Sequence, residues 1–374
     1  MANTLTEVLP KLLAQGLLAL REQAIMPRLV NRAYDSLAGE KGSTIDVPIP
    51  SAITVGDVTA AATPPSTSSF APTSASIALS NWKEAAFYLT DKDMLEAMNG
   101  TIPMQASEAV KAIANQIDDD ILALYKSVYG FAGVAGTTPF AADLSEYLEA
   151  RKIAATQLAP MDPRFMVIDP TAEANALALR QFSDASFRGD TAGIINGQIG
   201  QKYGALWVMD QNVPSHTASV DLTGAIDDVA AIAAGTKTLT IDGFSAAMNE
   251  GDVFSVAGVT GTYVAAAGAT TTSVTFTPGL ATALATGDNN EVITVKGDHT
   301  PNLLFHRDAF ALAMRPFSGA DPLNLGSFQS AIDPVSGLAL RLEVSREHKR
   351  TRFSYDVLYG VQAVRPELAV RLAG

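Results

Sequence analysis

Three consecutive carboxylates, Asp118-Asp119-Asp120, are the sharpest candidate for divalent-cation chemistry in the chain. A hard cation gathers several oxygen ligands around one point, whereas three successive helical residues fan out over about 200°. Asp119 shares a helical face with Asn115 rather than with its two neighbours. The strip therefore reads as an acidic face turned to solvent or to another subunit. His299, His306 and Asp308 form a second candidate, for metal or acid–base work. Their spacing fits no helical ligand pair, and His216 and His348 lie far off in sequence. Structural histidines are the expectation. Gly193, Gly197 and Gly200 spell GxxxGxxG, not the dinucleotide fingerprint GxGxxG, and no GxxxxGK(S/T), GxSxG or HExxH occurs. No cofactor is expected there; the glycines would let a surface loop turn. Arg346, Lys349, Arg350 and Arg352 crowd one stretch and could meet phosphate. Glu347 interrupts them and no aromatic residue interleaves, so pairing with acidic neighbours on another subunit is the simpler use. Such charges steer assembly more than they hold it. No catalytic set emerges.

The element that would carry the acidic strip is Pro103 to Tyr129. Ala106, Val110, Ile113, Ile117, Ile121, Leu124 and Val128 recur at steps of three and four, the helical period. Pro103 suits the first turn and Gly130 the end, giving a rod roughly 40 Å long at 1.5 Å per residue. A rod of that length among sheet-like segments reads as a spine, not a pocket wall.

The chain has 374 residues, enough for two or three compact units. Hydrophobic residues make up 47% and charged ones 17%, which leaves apolar surface to bury against copies. A formal net charge of −13 argues against tight nucleic-acid binding, which needs clustered Lys and Arg. Cysteine is absent, so disulfides, thiolate nucleophiles and Cys-based zinc sites are excluded, as suits a reducing cytosol. No run of about 18 uncharged apolar residues could span a membrane. The Leu-rich start (Leu9, Leu12, Leu13, Leu17, Leu18, Leu20) lacks a basic leader and is broken by Lys11 and Gln15, so it reads as an amphipathic docking helix.

Along the chain, Thr44–Ile49 alternates as a strand with Pro48 on an edge. Ser51–Ser74 is rich in Ala, Thr, Ser and Pro, with little to bury, and Ala75–Thr90 resumes strand character. Two strands with so long a tip predict a projecting arm that lies on a neighbour. Thr90-Asp-Lys-Asp93 caps a short helix through Met98. Asp143–Leu158 and Thr171–Phe182 are helical patterns, Arg164–Ile168 and Ala205–Met209 strands, and Ser183–Gly204 a Gly-rich loop. Composition shifts near residue 219: Asp221–Gly297 has no Arg and five β runs parted by Gly, Asn and Asp turns, which predicts an inserted small barrel or sandwich. Asn302–Leu312 resumes the mixed style. Leu338–Ser345 and Phe353–Val357 alternate around a turn at Arg346–Arg350, a long hairpin, and VRPELAVRL closes the chain as a last strand.

Several stretches carry a resemblance: Val30-Asn-Arg-Ala-Tyr-Asp35, Ile113-Ala-Asn-Gln-Ile-Asp-Asp-Asp120, Gly200-x-x-Tyr-Gly204 through Asn212-Val-Pro214, Leu304-Phe-His-Arg-Asp-Ala-Phe-Ala-Leu-Ala313, Leu358-Tyr-Gly360 and Arg365-Pro-Glu-Leu368. In their order the chain resembles the major capsid (coat) proteins of tailed double-stranded DNA bacteriophages. These have the Hong Kong 97-type capsid fold, and the likeness is to the podovirus coat branch with an inserted β domain. The resemblance implies an α+β fold with a spine helix, an extended β-loop, and peripheral and axial domains, plus the small barrel. It divides the chain into a helical arm (1–40), the β-loop (41–90), a peripheral domain with the spine (91–160), an axial domain (161–218), the insert (219–299) and returning strands with the terminal hairpin (300–374).

It further implies a structural protein without enzyme activity or cofactor, forming hexamers and pentamers of an icosahedral virion shell around double-stranded DNA. Scaffolding and portal proteins would be partners, and assembly would take place in the bacterial host cytoplasm, away from membranes. Pro64, Pro65 and Phe70 of the loop, Trp82, and Arg346 and Arg350 of the hairpin are the expected subunit contacts. Rival readings are a bacterial nanocompartment shell protein of the same fold and a surface, carbohydrate-binding β protein, the latter suggested by the Thr/Gly-rich insert.

Overall fold

The computed structural model describes residues 25–34, 44–50, 72–92, 101–184, 199–228, 230–285, 291–316, 326–332 and 338–374, with positions 13, 53, 55, 60 and 197 singly. Outside them lie the rest of the N-terminal helix expected before residue 25, the loop tip with Pro64, Pro65 and Phe70, the end of the helix through Met98, and Gly193. The helices are α1 (Met26–Leu29), α2 (Thr101–Leu122), α3 (Ser145–Thr156), α4 (Pro170–Ala178) and α5 (Arg180–Ser183). The first strands are β1 (Thr44–Ile49), β2 (Thr73–Ala78), β3 (Asn81–Thr90), β4 (Gly130–Ala132), β5 (Arg164–Ile168), β6 (Gly200–Lys202) and β7 (Ala205–Met209). Then come β8 (Thr223–Ile226), β9 (Thr238–Asp242), β10 (Val253–Val256), β11 (Tyr263–Ala265), β12 (Ser273–Thr277) and β13 (Val292–Val295). The last are β14 (Pro301–His306), β15 (Phe310–Arg315), β16 (Gly326–Ile332), β17 (Ala339–Glu347), β18 (Arg350–Ala363) and β19 (Ala369–Ala373).

The spine is shorter at its C-terminal end than the sequence period predicts. α2 stops at Leu122, Ala123–Ser127 winds as a 3-10 turn, and Val128 is extended. Ala106, Val110, Ile113, Ile117 and Ile121 are buried as expected. The tighter winding, with three residues per turn, then rotates the buried side: Leu122 and Tyr125 go inside while Leu124 is only half-buried. Gly130 opens β4 instead of ending a helix, and a Cβ there would stand 3.2 Å from the Ala369 carbonyl oxygen. Asp118 is buried in the spine, so one of the three carboxylates of the acidic strip faces neither solvent nor another subunit.

The chain divides into two compact units, the boundary falling within α2 at Ala109–Val110. In the first, comprising Met1–Leu17, Arg32–Ala109 and Ala311–Val364, β1 and β2 pair antiparallel from Thr44↔Ala78 to Ile49↔Thr73. The single strand expected over Ala75–Thr90 is broken at Leu79-Ser80, where the Ser80 amide turns back to the Ala78 carbonyl. Leu79 is fully buried, and the chain re-emerges as β3 to pair with β18. A sheet β16-β17-β18-β3 results, with β15 also on β18. β16 was not legible in the sequence. Ile45, Val47, Ile77, Leu79, Ala311, Ala313 and Val364 form a common core. The hairpin turn is tighter than predicted: Glu347 pairs with Arg350, and Lys349 sits at φ 55°.

In the second unit (Leu18–Asn31, Val110–Phe310, Arg365–Gly374), six strands run in the order β4-β19-β14-β5-β7-β6. The Trp207 ring stacks among Tyr147, Phe182 and Phe140 at centroid distances of 4.8, 5.3 and 5.4 Å, tying α3, α5 and β7 together. Asp169 caps α4, accepting from the Thr171 and Ala172 amides, with Pro170 at the first helical position. The helix expected over Thr171–Phe182 is interrupted because Leu179 is extended, at ψ 137°. The inserted β runs close into a barrel, β10-β11-β12-β9-β8-β13. The sequence showed five of its strands. The sixth, β8, reads Thr-Gly-Ala-Ile, too short and too Gly-rich to show alternation; at Gly224 a Cβ would lie 2.0 Å from the Phe244 ring.

Candidate functional site

The second unit contains a buried polar node that joins the barrel to the six-stranded sheet. Its centre is His216, brought beside His299 by an antiparallel bridge and with ring centroids 5.0 Å apart. His216 Nε2 is 2.9 Å from Asp252 Oδ1, and its Nδ1 is 3.0 Å from the Tyr125 hydroxyl. Asp252 is an acceptor, so Nε2–H donates to it; in that tautomer Nδ1 accepts from the Tyr125 hydroxyl. The other Asp252 oxygen accepts from the backbone amides of Ser219 (3.2 Å) and Asn249 (2.8 Å). Arg371 of β19 lies with its guanidinium carbon 5.0 Å from the centre of the Tyr125 ring and donates from Nη1 to the Gly251 carbonyl at 2.8 Å.

Asp252 and Arg371 are both fully buried. Burial holds the Arg371 guanidinium well below its ordinary value, at about 9, against the opposing pull of Tyr125 and Asp252. Burial likewise pushes His299 down to about 4, so it is neutral at neutral pH; its Nδ1–H donates to the Gly297 carbonyl at 2.8 Å. The resulting Asp–His–Tyr chain has the connectivity of a proton relay, but every member is enclosed. It ties β10 and the Gly251 turn to the end of the spine and to β19.

A second buried polar contact anchors α1 to the spine. Asp118, 1% exposed, accepts the Met26 amide on Oδ1 (3.2 Å) and the Ile25 amide on Oδ2 (3.3 Å). Burial, reinforced by Asp210, raises its carboxyl from 3.8 to about 8. Asp210 is itself raised by burial, and its Oδ1 accepts the Asn212 amide at 2.9 Å. Beyond α1, Asn31 donates to the Phe310 carbonyl (3.0 Å) and, from its side chain, to Asp308 (2.7 Å). Two of the stretches that carried the resemblance, the one from Val30 and the one through Asp308, therefore meet in space.

The remaining predicted residues separate. His306 caps the short turn Arg307–Ala309, its Nδ1 accepting the Asp308 amide at 3.3 Å. Among the described residues no cluster of three or more His, Cys, Asp and Glu could hold a metal. Gly197 and Gly200 adopt φ 67° and 72°, the left-handed conformation a turning loop demands. Trp82 is 48% exposed while its indole N–H donates to Asp356 at 2.8 Å. Arg346 pairs with Asp91 at 2.7 Å, and Arg350 pairs with Glu347 and lies 4.9 Å over the Tyr88 ring. Sequence reasoning missed Arg371 and Asp252. The available signal was a lone Arg in the apolar run AVRLA, which a strand buried on both faces must neutralise.

Residues 73–253 match the family model described as phage capsid protein. A chain of the Mycobacterium phage Che8 structure is 16% identical with a TM-score of 0.54, covering 93% of this chain and 90% of that one. A chain from the capsid structure of the cyanophage P-SCSP1u is 13% identical with a TM-score of 0.50, covering 94% and 88%. None of the curated proteins matches the chain. Identities this low speak for the fold alone, whereas the family match reads the sequence itself. Residues 73–253 thus carry the sequence pattern of the phage capsid proteins, and the chain has the α+β fold of the Hong Kong 97 type, with an added closed β-barrel.

Proposed function

We propose that this chain is a capsid protein, the major shell subunit of a tailed phage, assembling into hexamers and pentamers of an icosahedral shell that encloses double-stranded DNA. Its role in this reading is structural, which the match of residues 73–253 to the phage capsid family supports. The observation that carries the reading is the solvent-facing row of β3, where Trp82 and Tyr88 stand 48% and 60% exposed, Tyr88 beside Arg350 and Arg352. Aromatic and Arg side chains on a rigid sheet are the composition of an interface anchor. Many such contacts, each modest, become strong together once a ring or shell closes. Trp82, Arg346 and Arg350 are assigned to contacts between copies, together with Pro64, Pro65 and Phe70 of the loop.

The same reading divides the work among an arm (1–40), loop (41–90), peripheral (91–160) and axial (161–218) domains, the insert (219–299) and the returning strands (300–374). The closed barrel supports a place among coat proteins with an inserted β domain. A scaffolding protein and a portal would join the precursor shell in the host cytoplasm. Electron microscopy of the purified protein with its scaffold tests the proposal. Closed particles of uniform diameter are expected; a chain that stays monomeric at every concentration and with scaffold present overturns it.

A further inference from the structure

The connection between α3 and β5 ends in an apolar knob. Leu158 is 87% exposed and Met161 63%. Leu158 also sits at φ 60°, at the end of a helix, where Gly or Asn is the usual occupant because a Cβ is strained there. A Leu at this position gains no burial and relaxes no strain within its own chain. The knob is nevertheless held firmly. The amides of Leu158 and Ala159 bond back to the Ala155 and Ala154 carbonyls at 3.1 and 2.9 Å. The buried Arg164 guanidinium donates to the Ala159 and Pro160 carbonyls, both at 2.6 Å. Strain kept in place by surrounding bonds points to use, and an anchor fixed beforehand loses little entropy on docking.

The same unit contains a cleft of 470 Å³ between α3 and the barrel. Tyr129, Phe131, Ile153, Tyr263 and Pro278 give it apolar walls, and two exposed charges line it, Lys152 and Glu149, the latter accepting the Gly133 amide at 3.1 Å. Its volume is in the range of sites that take a small ligand, about 300–1,000 Å³. On the knob, Met161 is followed by the exposed Asp162, so the knob offers an apolar tip with one negative charge. The cleft offers apolar walls with the Lys152 ammonium beside a Glu149 already engaged by an amide. We propose that Leu158 and Met161 of one copy seat in this cleft of a neighbouring copy, with Asp162 against the neighbour's Lys152. The contact is heterologous, knob into cleft, the kind that propagates into rings. It rests on the shell reading above, since it needs many copies side by side.

The chain contains no cysteine, so introduced thiols are the only ones on the shell subunit. Met161→Cys and Thr260→Cys, the latter at the cleft, are placed in separate chains and co-assembled with scaffold, then oxidised. A disulfide-linked dimer that appears only when both variants are present is the expected result. Particles containing both variants but no such dimer overturn the contact, as does Met161→Cys cross-linking to itself or the cleft thiol joining any other partner. Leu158→Gly is the second variant: it removes the side chain and relieves the backbone, so the monomer should melt no lower. Its critical concentration for assembly should nonetheless rise at least about tenfold. Unchanged assembly of that variant overturns the contact. A wild-type chain that never assembles overturns the shell reading and this contact with it, whereas particles lacking the cross-link overturn the contact alone.

Discussion

Arg371 and Asp252 are enclosed from both sides, one on β19 and the other on the barrel, with His216 and Tyr125 between. Removing one member of a buried ionic network costs about 3–5 kcal/mol, because the others keep their desolvation penalty without its compensation. Arg371→Ala is therefore expected to lower the stability of the isolated subunit by that order, read as a shifted urea midpoint or lost soluble yield. An unchanged midpoint would mean that Arg371 is not charged or not enclosed. Asp118 works in the opposite sense. Its folded pKa is raised, from 3.8 to about 8, so burial favours the protonated form. The stability it contributes is fully present below about 4, falls progressively above that, and is gone once pH has risen through about 8. Hydrogen exchange of the Ile25 and Met26 amides, which Asp118 accepts, should accelerate beyond the intrinsic rise as pH climbs from about 4 to about 8, and no further above that. Asp118→Asn should remove the excess; a variant with the same profile as wild type would rule the carboxyl out.

Within elements, magnitude separates the arginines of the terminal hairpin. Arg341 holds Asp356 by a two-pronged ion pair, and Asp356 is only 4% exposed and also accepts the Trp82 indole. Arg346, in contrast, pairs with Asp91 out in solvent, where such a pair contributes about 0–1 kcal/mol. Arg341→Ala, which strands a buried carboxylate, should destabilise the sheet by about 3 kcal/mol or more, whereas Arg346→Ala should leave the melting temperature of the subunit nearly unchanged. The second substitution belongs to assembly: under the shell reading it slows particle growth without weakening the fold. Equal melting temperatures for the two variants would refute the distinction. The alternation of Leu338 to Ser345 and of Phe353 to Val357 made this hairpin legible, because period two is written in the residues themselves. Its third strand, β16, reads Gly-Ser-Phe-Gln-Ser-Ala-Ile and carries too few apolar residues to declare itself. The break at Leu79-Ser80 was hidden for another reason: both flanking runs are strand-like, and only their different partners, β1 and β18, require the chain to turn.

For the molecule as a whole, the barrel is part of the structural account of the second unit and not an appendage to it. Gly251 and Asp252 supply acceptors to Arg371 and His216, and the Thr262 hydroxyl donates to the Tyr129 carbonyl at 2.7 Å. Excising 219–299 should therefore leave a chain that expresses insolubly or lacks cooperative melting; a soluble excised chain with native-like circular dichroism and a sharp transition would show that the node is dispensable. From the sequence alone came the spine, the barrel region, the hairpin, the lack of cysteine and catalytic motifs, and the order of parts that resembles phage coat proteins. Those features follow from local periodicity, turn residues and composition, which a linear chain displays without folding. Only the tertiary structure could bring His216 to His299, Asp118 to Met26 and Arg371 to the barrel, or leave Leu158 in solvent. Such pairings join residues tens to more than a hundred positions apart, and their energy comes from shared burial, a quantity that no stretch of sequence possesses until the rest of the chain has packed around it.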